Sequence, residues 1–89
     1  MEEKNIDRHV MTDWVVEALS SIGGRGTILD VCRQVWMLHG PEIERSGDMF
    51  YKWQYEIRWA ADLLRKEARL RSEKGQWKLP HTSEDRMVT

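Results

Sequence analysis

Residues 50–79, FYKWQYEIRWAADLLRKEARLRSEKGQWKL, restrict what this chain can become more than any other stretch. On a 3.6-residue wheel Phe50, Trp53, Ile57, Ala60, Ala61 and Leu64 share one sector, while Tyr51, Gln54, Tyr55, Arg58, Asp62, Arg65 and Lys66 occupy the far side. That pattern predicts a helix packed along one face, running to about Ala68. Beyond Glu67 the period becomes two: Leu70, Trp77 and Leu79 point one way, and Arg69, Arg71, Gln76 and Lys78 the other, around a Glu73-Lys74-Gly75 turn. A helix that runs at once into a short basic hairpin is therefore the core unit, and the residues before it are read as its support.

In that support, Val10, Trp14, Val15, Ala18, Leu19 and Ile22 recur at helical spacing from about Arg8, and Gly23-Gly24 ends the run. Thr12-Asp13 offers a cap for a later start. Arg25-Gly26-Thr27 has room only for a linker or an edge strand, and the strand, paired with the hairpin, is the reading adopted. Thr27 and Asp30 have the spacing of a capping box. A second helix follows, with Ile28, Val31, Cys32, Val35, Trp36 and Leu38 as its buried stripe and His39-Gly40-Pro41 as its stop. Residues 42–47 form a polar connection with one turn around Ile43, and Asp48 is the expected cap of the third helix. Pro80 closes the hairpin. The expected division is a flexible segment 1–7, one domain over 8–80, and a disordered polar tail 81–89.

The resulting order of helix, short strand, helix, loop, helix and hairpin predicts an α+β, mostly α, winged helix-turn-helix: three helices and a small antiparallel sheet ending in a wing hairpin. With 89 residues the core is small, and the five tryptophans, each able to bury roughly 150–250 Å², substitute for several smaller side chains. The single cysteine, Cys32, excludes an internal disulfide, and no Cys/His spacing suits a metal, so a reducing cytoplasmic setting is expected. No apolar run has the length of a secretion signal or a membrane span. The net charge of -1 conceals a division along the chain: residues 1–49 carry five Lys/Arg against nine Asp/Glu, and residues 50–79 carry eight against four. Positive charge gathers on the third helix and hairpin, a distribution that orients a protein toward a polyanion. The competing reading is a solvated helix face laced with Glu56, Asp62 and Glu67 pairs.

Several words stand in this order: Leu19-Ser20-Ser21-Ile22-Gly23-Gly24, Ile57-Arg58-Trp59-Ala60, Leu64-Arg65-Lys66, Leu70, and Gly75-Gln76-Trp77-Lys78-Leu79. Across residues 14–80 they resemble the N-terminal winged-helix domain of Mrr-type restriction proteins. The resemblance implies a DNA-targeting module, which in larger restriction proteins is joined to a nuclease domain. No acidic set for a nuclease is present, so restriction activity is not carried over. The chain also departs from the family pattern where Ala68-Arg69 stands in place of a glycine leading into the wing.

On this reading the third helix enters the major groove of double-stranded DNA. Gln54 and Arg58, spaced i, i+4, suit the edges of adenine and guanine. Tyr51 and Tyr55 suit phosphates or a thymine methyl, and Arg65, Lys66, Arg69, Arg71, Lys74 and Lys78 suit phosphates. Arg58 has two competing uses, lying on Trp59 or pairing with Asp62. Trp59 is expected to wedge the helix against the hairpin. The expected role is transcriptional regulator or restriction-associated targeting domain in the cytoplasm, on the nucleoid when bound, with no cofactor or small-molecule substrate; homodimerisation is compatible with it. The rival class is a protein-interaction module on the same scaffold. An enzyme is not expected: His9, His39 and His81 lie far apart, and Cys32 falls on an inner stripe.

Overall fold

Asp7 opens the first helix from an extended backbone, its carboxylate accepting from the Val10 N–H at 3.0 Å. Together with Ile6, which is buried, it belongs to the folded body and not to a loose leader. Thr12, the other candidate start, lies inside that helix and is buried, with its hydroxyl donating to the His9 carbonyl. The computed structural model describes residues 6–80, so the expected tail at 81–89 lies outside the described residues. The elements are α1 (Arg8–Ser21), β1 (Arg25–Gly26), α2 (Ile28–Glu44), α3 (Met49–Lys66), β2 (Arg71–Glu73) and β3 (Gln76–Lys78). The three strands form an antiparallel sheet in the order β1-β3-β2, which is a winged-helix layout.

The connections follow from local chemistry. At the end of α1, the Gly24 N–H donates to the Leu19 carbonyl and the Gly23 N–H to the Ser20 carbonyl, with Gly23 at φ +99°. This is the Schellman arrangement, which requires a left-handed residue just past the helix. A Cβ at Gly26 in β1 would stand 2.9 Å from Ile22 Cδ1 and 3.1 Å from Asp30 Cβ, so a side chain there would make the tip of Ile22 shift. Thr27 then caps α2 as expected: its hydroxyl accepts from the Asp30 N–H at 3.1 Å, and the Asp30 carboxylate accepts from the Thr27 N–H at 3.0 Å. Donation to the Asp30 carboxylate from the Thr27 backbone N–H foremost, and from the Thr27 side chain after it, holds this carboxyl below its ordinary pKa.

α2 does not stop at His39-Gly40-Pro41. It kinks at His39, φ -132° and ψ 16°, and continues to Glu44, because Pro41 falls in the first turn of the new segment, where no N–H is needed. The kink is held from the side: the His39 ring stacks on Trp14 with centroids 3.9 Å apart, and its Nδ1 and Nε2 lie 2.5 Å from Glu42 Oε1 and 2.7 Å from Glu17 Oε1. Asp48 does not cap α3; its backbone is already helical and its side chain makes no cap bond.

The core is a single cluster in which the α1 stripe (Met11, Trp14, Val15, Ala18, Leu19) meets Val31, Val35 and Ile43 of α2 and Trp53, Ile57, Ala60, Ala61 and Leu64 of α3. Three residues assigned inward by periodicity lie toward the surface: Trp36, Leu38 and Phe50 are 38%, 40% and 39% exposed. Glu56, read as part of a solvated face, is instead buried, with Arg8 Nε donating to its Oε1 at 3.1 Å.

α3 ends at Lys66, two residues short of the expected bound, in a second Schellman arrangement. The Arg69 N–H reaches the Leu64 carbonyl at 2.8 Å and the Ala68 N–H the Arg65 carbonyl at 3.0 Å. The left-handed position is Ala68, at φ +61°. An alanine stands where the resemblance leads one to expect a glycine, yet the bend is kept. The hairpin itself turns on Lys74 and Gly75, both at positive φ (+51° and +79°), as a tight two-residue loop needs.

Two expectations follow. An L-residue in this region costs roughly 1–2 kcal/mol, partly offset in glycine by its greater unfolded freedom, so Ala68→Gly should stabilise by about 0.5–1 kcal/mol and raise Tm by several degrees; a lower Tm would contradict the strained bend. Because the folded pKa of Asp30 is depressed, its contribution is complete above the ordinary aspartate pKa of about 3.9 and is lost as pH falls through the folded value. The gap in Tm between the natural chain and Asp30→Asn should therefore be widest near neutrality and close toward pH 2. A gap independent of pH would contradict the capping box.

Candidate nucleic-acid interface

The outer face of α3 follows from the stripe it buries. With Trp53, Ile57, Ala60, Ala61 and Leu64 turned inward, Tyr51, Gln54, Tyr55, Arg58, Asp62 and Arg65 are left on the opposite surface, and all six are exposed. The spacing of apolar residues along the helix thus decides which side chains can meet a partner.

A trough runs beside this face. Between the start of α2, the C-terminal half of α3 and the hairpin lies a cleft of about 350 Å³ lined by Ile28, Arg58, Asp62, Arg65, Ser72, Gly75 and Trp77. It continues into a second of about 370 Å³, where Gln54, Tyr55 and Arg58 face Ile28, Leu29 and Cys32. Arg58 is common to both. Farther toward the N-terminus of α3, a third cleft of about 550 Å³ is mostly apolar, with Leu29, Trp36, Met37, Phe50 and Trp53 around Arg33 and Gln54.

The ten residues singled out by sequence divide into groups. Tyr51, Gln54, Tyr55 and Arg58 share the outer face of α3. Arg58 makes no hydrogen bond or ion pair among the described residues, because both of its expected partners are engaged elsewhere: Asp62 pairs with Arg65, and Trp59 carries the Arg8 guanidinium 3.7 Å from its ring centroid. Trp59 is therefore covered from α1, which corrects its expected role as a wedge against the hairpin. Arg65 lies on the face but is tied to Asp62, and Arg69 reaches Glu67 at 3.4 Å. Lys66 and Lys74 are exposed, with no ion pair among the described residues. Arg71 is exposed, but Lys78 is not a free surface cation: its side chain is 14% exposed and its Nζ lies 3.7 Å from Glu73 Oε1.

Strand alternation separates the hairpin cations from the trough. Ser72 and Trp77, which are register partners, line the first cleft, so Arg71, Glu73, Gln76 and Lys78 lie on the other sheet face. Sequence reasoning missed Arg25, which the register places opposite Lys78, and the apolar wall of Ile28, Leu29 and Cys32. The pairing of β1 with the hairpin is as expected, but its register, which sets Arg25 opposite Lys78, has no local signal, whereas Leu29 could have been found as the outward position of the α2 wheel. Cys32 is half-buried, and burial pushes its thiol pKa up against the smaller opposing effect of Arg58.

Among the described residues there is no group of three or more His, Cys, Asp or Glu suited to a metal, and no helix long and apolar enough to cross a membrane. No protein-family model, curated protein or solved structure matches the chain.

Proposed function

We propose that this chain is a non-catalytic module that binds double-stranded DNA, with α3 in the major groove and the hairpin beside it. It would serve as a transcriptional regulator or restriction-associated targeting domain in the cytoplasm, in keeping with its resemblance to the N-terminal domain of Mrr-type restriction proteins. The observation that carries the reading is Arg58: an uncommitted guanidinium in mid-face on α3, one turn from Gln54 and at the junction of two clefts. A major groove about 12 Å wide accepts a helix presenting such side chains, and an Arg fork meets guanine O6 and N7 together. Lys66 and Lys74 add charge without a fixed carboxylate. The pairs Arg65–Asp62 and Arg69–Glu67 reduce the charge free to meet phosphates, so the predicted affinity rests on fewer cations than the sequence count suggests.

A second reading, a protein-interaction module, is favoured by one feature, the apolar cleft where Met37 and Leu29 stand 75% and 57% exposed.

Binding to a random-sequence duplex pool across a salt series separates the two. DNA binding predicts affinity that falls linearly with salt on a log–log plot, with a slope near 0.9 per neutralised phosphate. Arg58→Ala should lose discrimination between sequences, by roughly 1–3 kcal/mol at one base pair, more than it loses bulk affinity. Salt-independent or absent binding would overturn the DNA reading, and a uniform loss across sequences would move Arg58 from base to backbone.

A further inference from the structure

The apolar cleft of about 550 Å³ between α2 and the start of α3 has a firm floor. Trp36 stacks on the buried Trp53 with centroids 5.6 Å apart and planes at 22°, and it packs close to Gly40, where a Cβ would stand 3.3 Å from the indole. An indole seated in this way loses little freedom when something covers it. Leu29, Met37 and Phe50 are exposed around it and make one apolar patch with it. The charged residues that line this cleft and the one adjoining it, Arg33 and Arg58, are both cations. Arg33 is exposed and makes no hydrogen bond or ion pair among the described residues. Asp30, the carboxylate whose charge it feels, is held in the Thr27 capping box and lines neither cleft.

Whatever covers such a surface must be apolar and carry negative charge. Leu29, Arg33 and Met37 follow one another at i, i+4 and i+8, so they form a row of about 12 Å along α2. A second copy of the chain fits poorly: the antiparallel pairing that sets Leu29 of one copy against Met37 of the other also sets Arg33 against Arg33, and opposed like charges are costly in an interface. An extended strand fits poorly as well, because the walls are two helices and offer no sheet edge to its backbone. A helix satisfies its own backbone and lies in the groove between two others. We propose that the occupant is an acidic amphipathic helix of a partner protein, with apolar side chains at i, i+3, i+4 and i+7 seated between α2 and the start of α3 and a flanking carboxylate on Arg33. The guanidinium fork donates to both oxygens of that carboxylate. This rests on reading the cleft as a protein-docking surface and does not depend on DNA binding.

The test uses the full chain and three dye-labelled synthetic peptides of about 16 residues, a length that supports a helix once bound. One carries Leu at i, i+3, i+4 and i+7 with Glu at the flanking positions, the second has the same Leu stripe with Lys flanks, and the third has the composition of the first with the stripe scrambled. By fluorescence anisotropy at about 50 mM salt, where exposed charges are only partly screened, the Glu peptide should bind roughly fivefold or more tightly than the Lys peptide and roughly tenfold more tightly than the scrambled one. Arg33→Glu should reverse the order of the two striped peptides, and Met37→Ser should weaken both. Each variant should keep a Tm close to that of the natural chain, since both side chains are exposed. Equal affinity for Glu and Lys flanks, or an order unchanged by Arg33→Glu, would overturn the acidic partner while leaving the cleft a docking surface. Striped peptides that bind no better than the scrambled one would overturn both. A dimer seen in sedimentation and dissolved by Met37→Ser would give the cleft to a second copy and overturn the proposal.

Discussion

The seating of α3 on α1 is the constraint from which the rest of the molecule follows. Trp53, Ile57, Ala60, Ala61 and Leu64 of α3 are all buried, in one cluster with Met11, Trp14, Val15, Ala18 and Leu19 of α1. At roughly 1.5–3 kcal/mol for each large apolar side chain fully removed from water, this one stripe is comparable with the whole net stability of a domain of this size. Rotation of α3 would forfeit it. The direction in which Gln54 and Arg58 project is therefore set by the core, without any interaction of their own.

The same packing sorts the charges. Glu56 is drawn under Arg8, which also covers Trp59, so α1 neutralises one flank of α3. On the outer face Asp62 engages Arg65 and leaves Arg58 uncommitted. What began as an excess of cations in residues 50–79 becomes two spatially distinct surfaces, one along α3 and one across the outside of the sheet. Near-zero net charge is compatible with both, since a polyanion responds to the local field within about a Debye length.

The order of elements, the capping box at Thr27, the Gly23-Gly24 stop and the strand at Arg25 were legible because each depends on neighbours in sequence. The failures have a common cause. Trp36, Leu38 and Phe50 satisfy helical periodicity, but a chain this short has too little core to bury every apolar residue on the stripe, and the kink at His39 turns the end of α2 aside. Pro41 reads as a terminator until its place in the first turn of a new segment is known. Glu56 reads as solvated because its partner is 48 residues away. For the candidate site, the exposed face of α3 could be read from its wheel. The row of Arg25, Lys78 and Arg71 across the sheet could not, because it depends on the register in which the strands pair.

The central claim is that the exposed face of α3 is where a duplex sits, and amide chemical shifts of the isotope-labelled chain during titration with a short random-sequence duplex test it most directly. The account predicts that shifts concentrate at Tyr51, Gln54, Tyr55 and Arg58 and at the Lys74-Gly75 turn, while Met37 and Trp36 in the apolar cleft stay still. Shifts confined to that cleft, or none anywhere on α3, would contradict it.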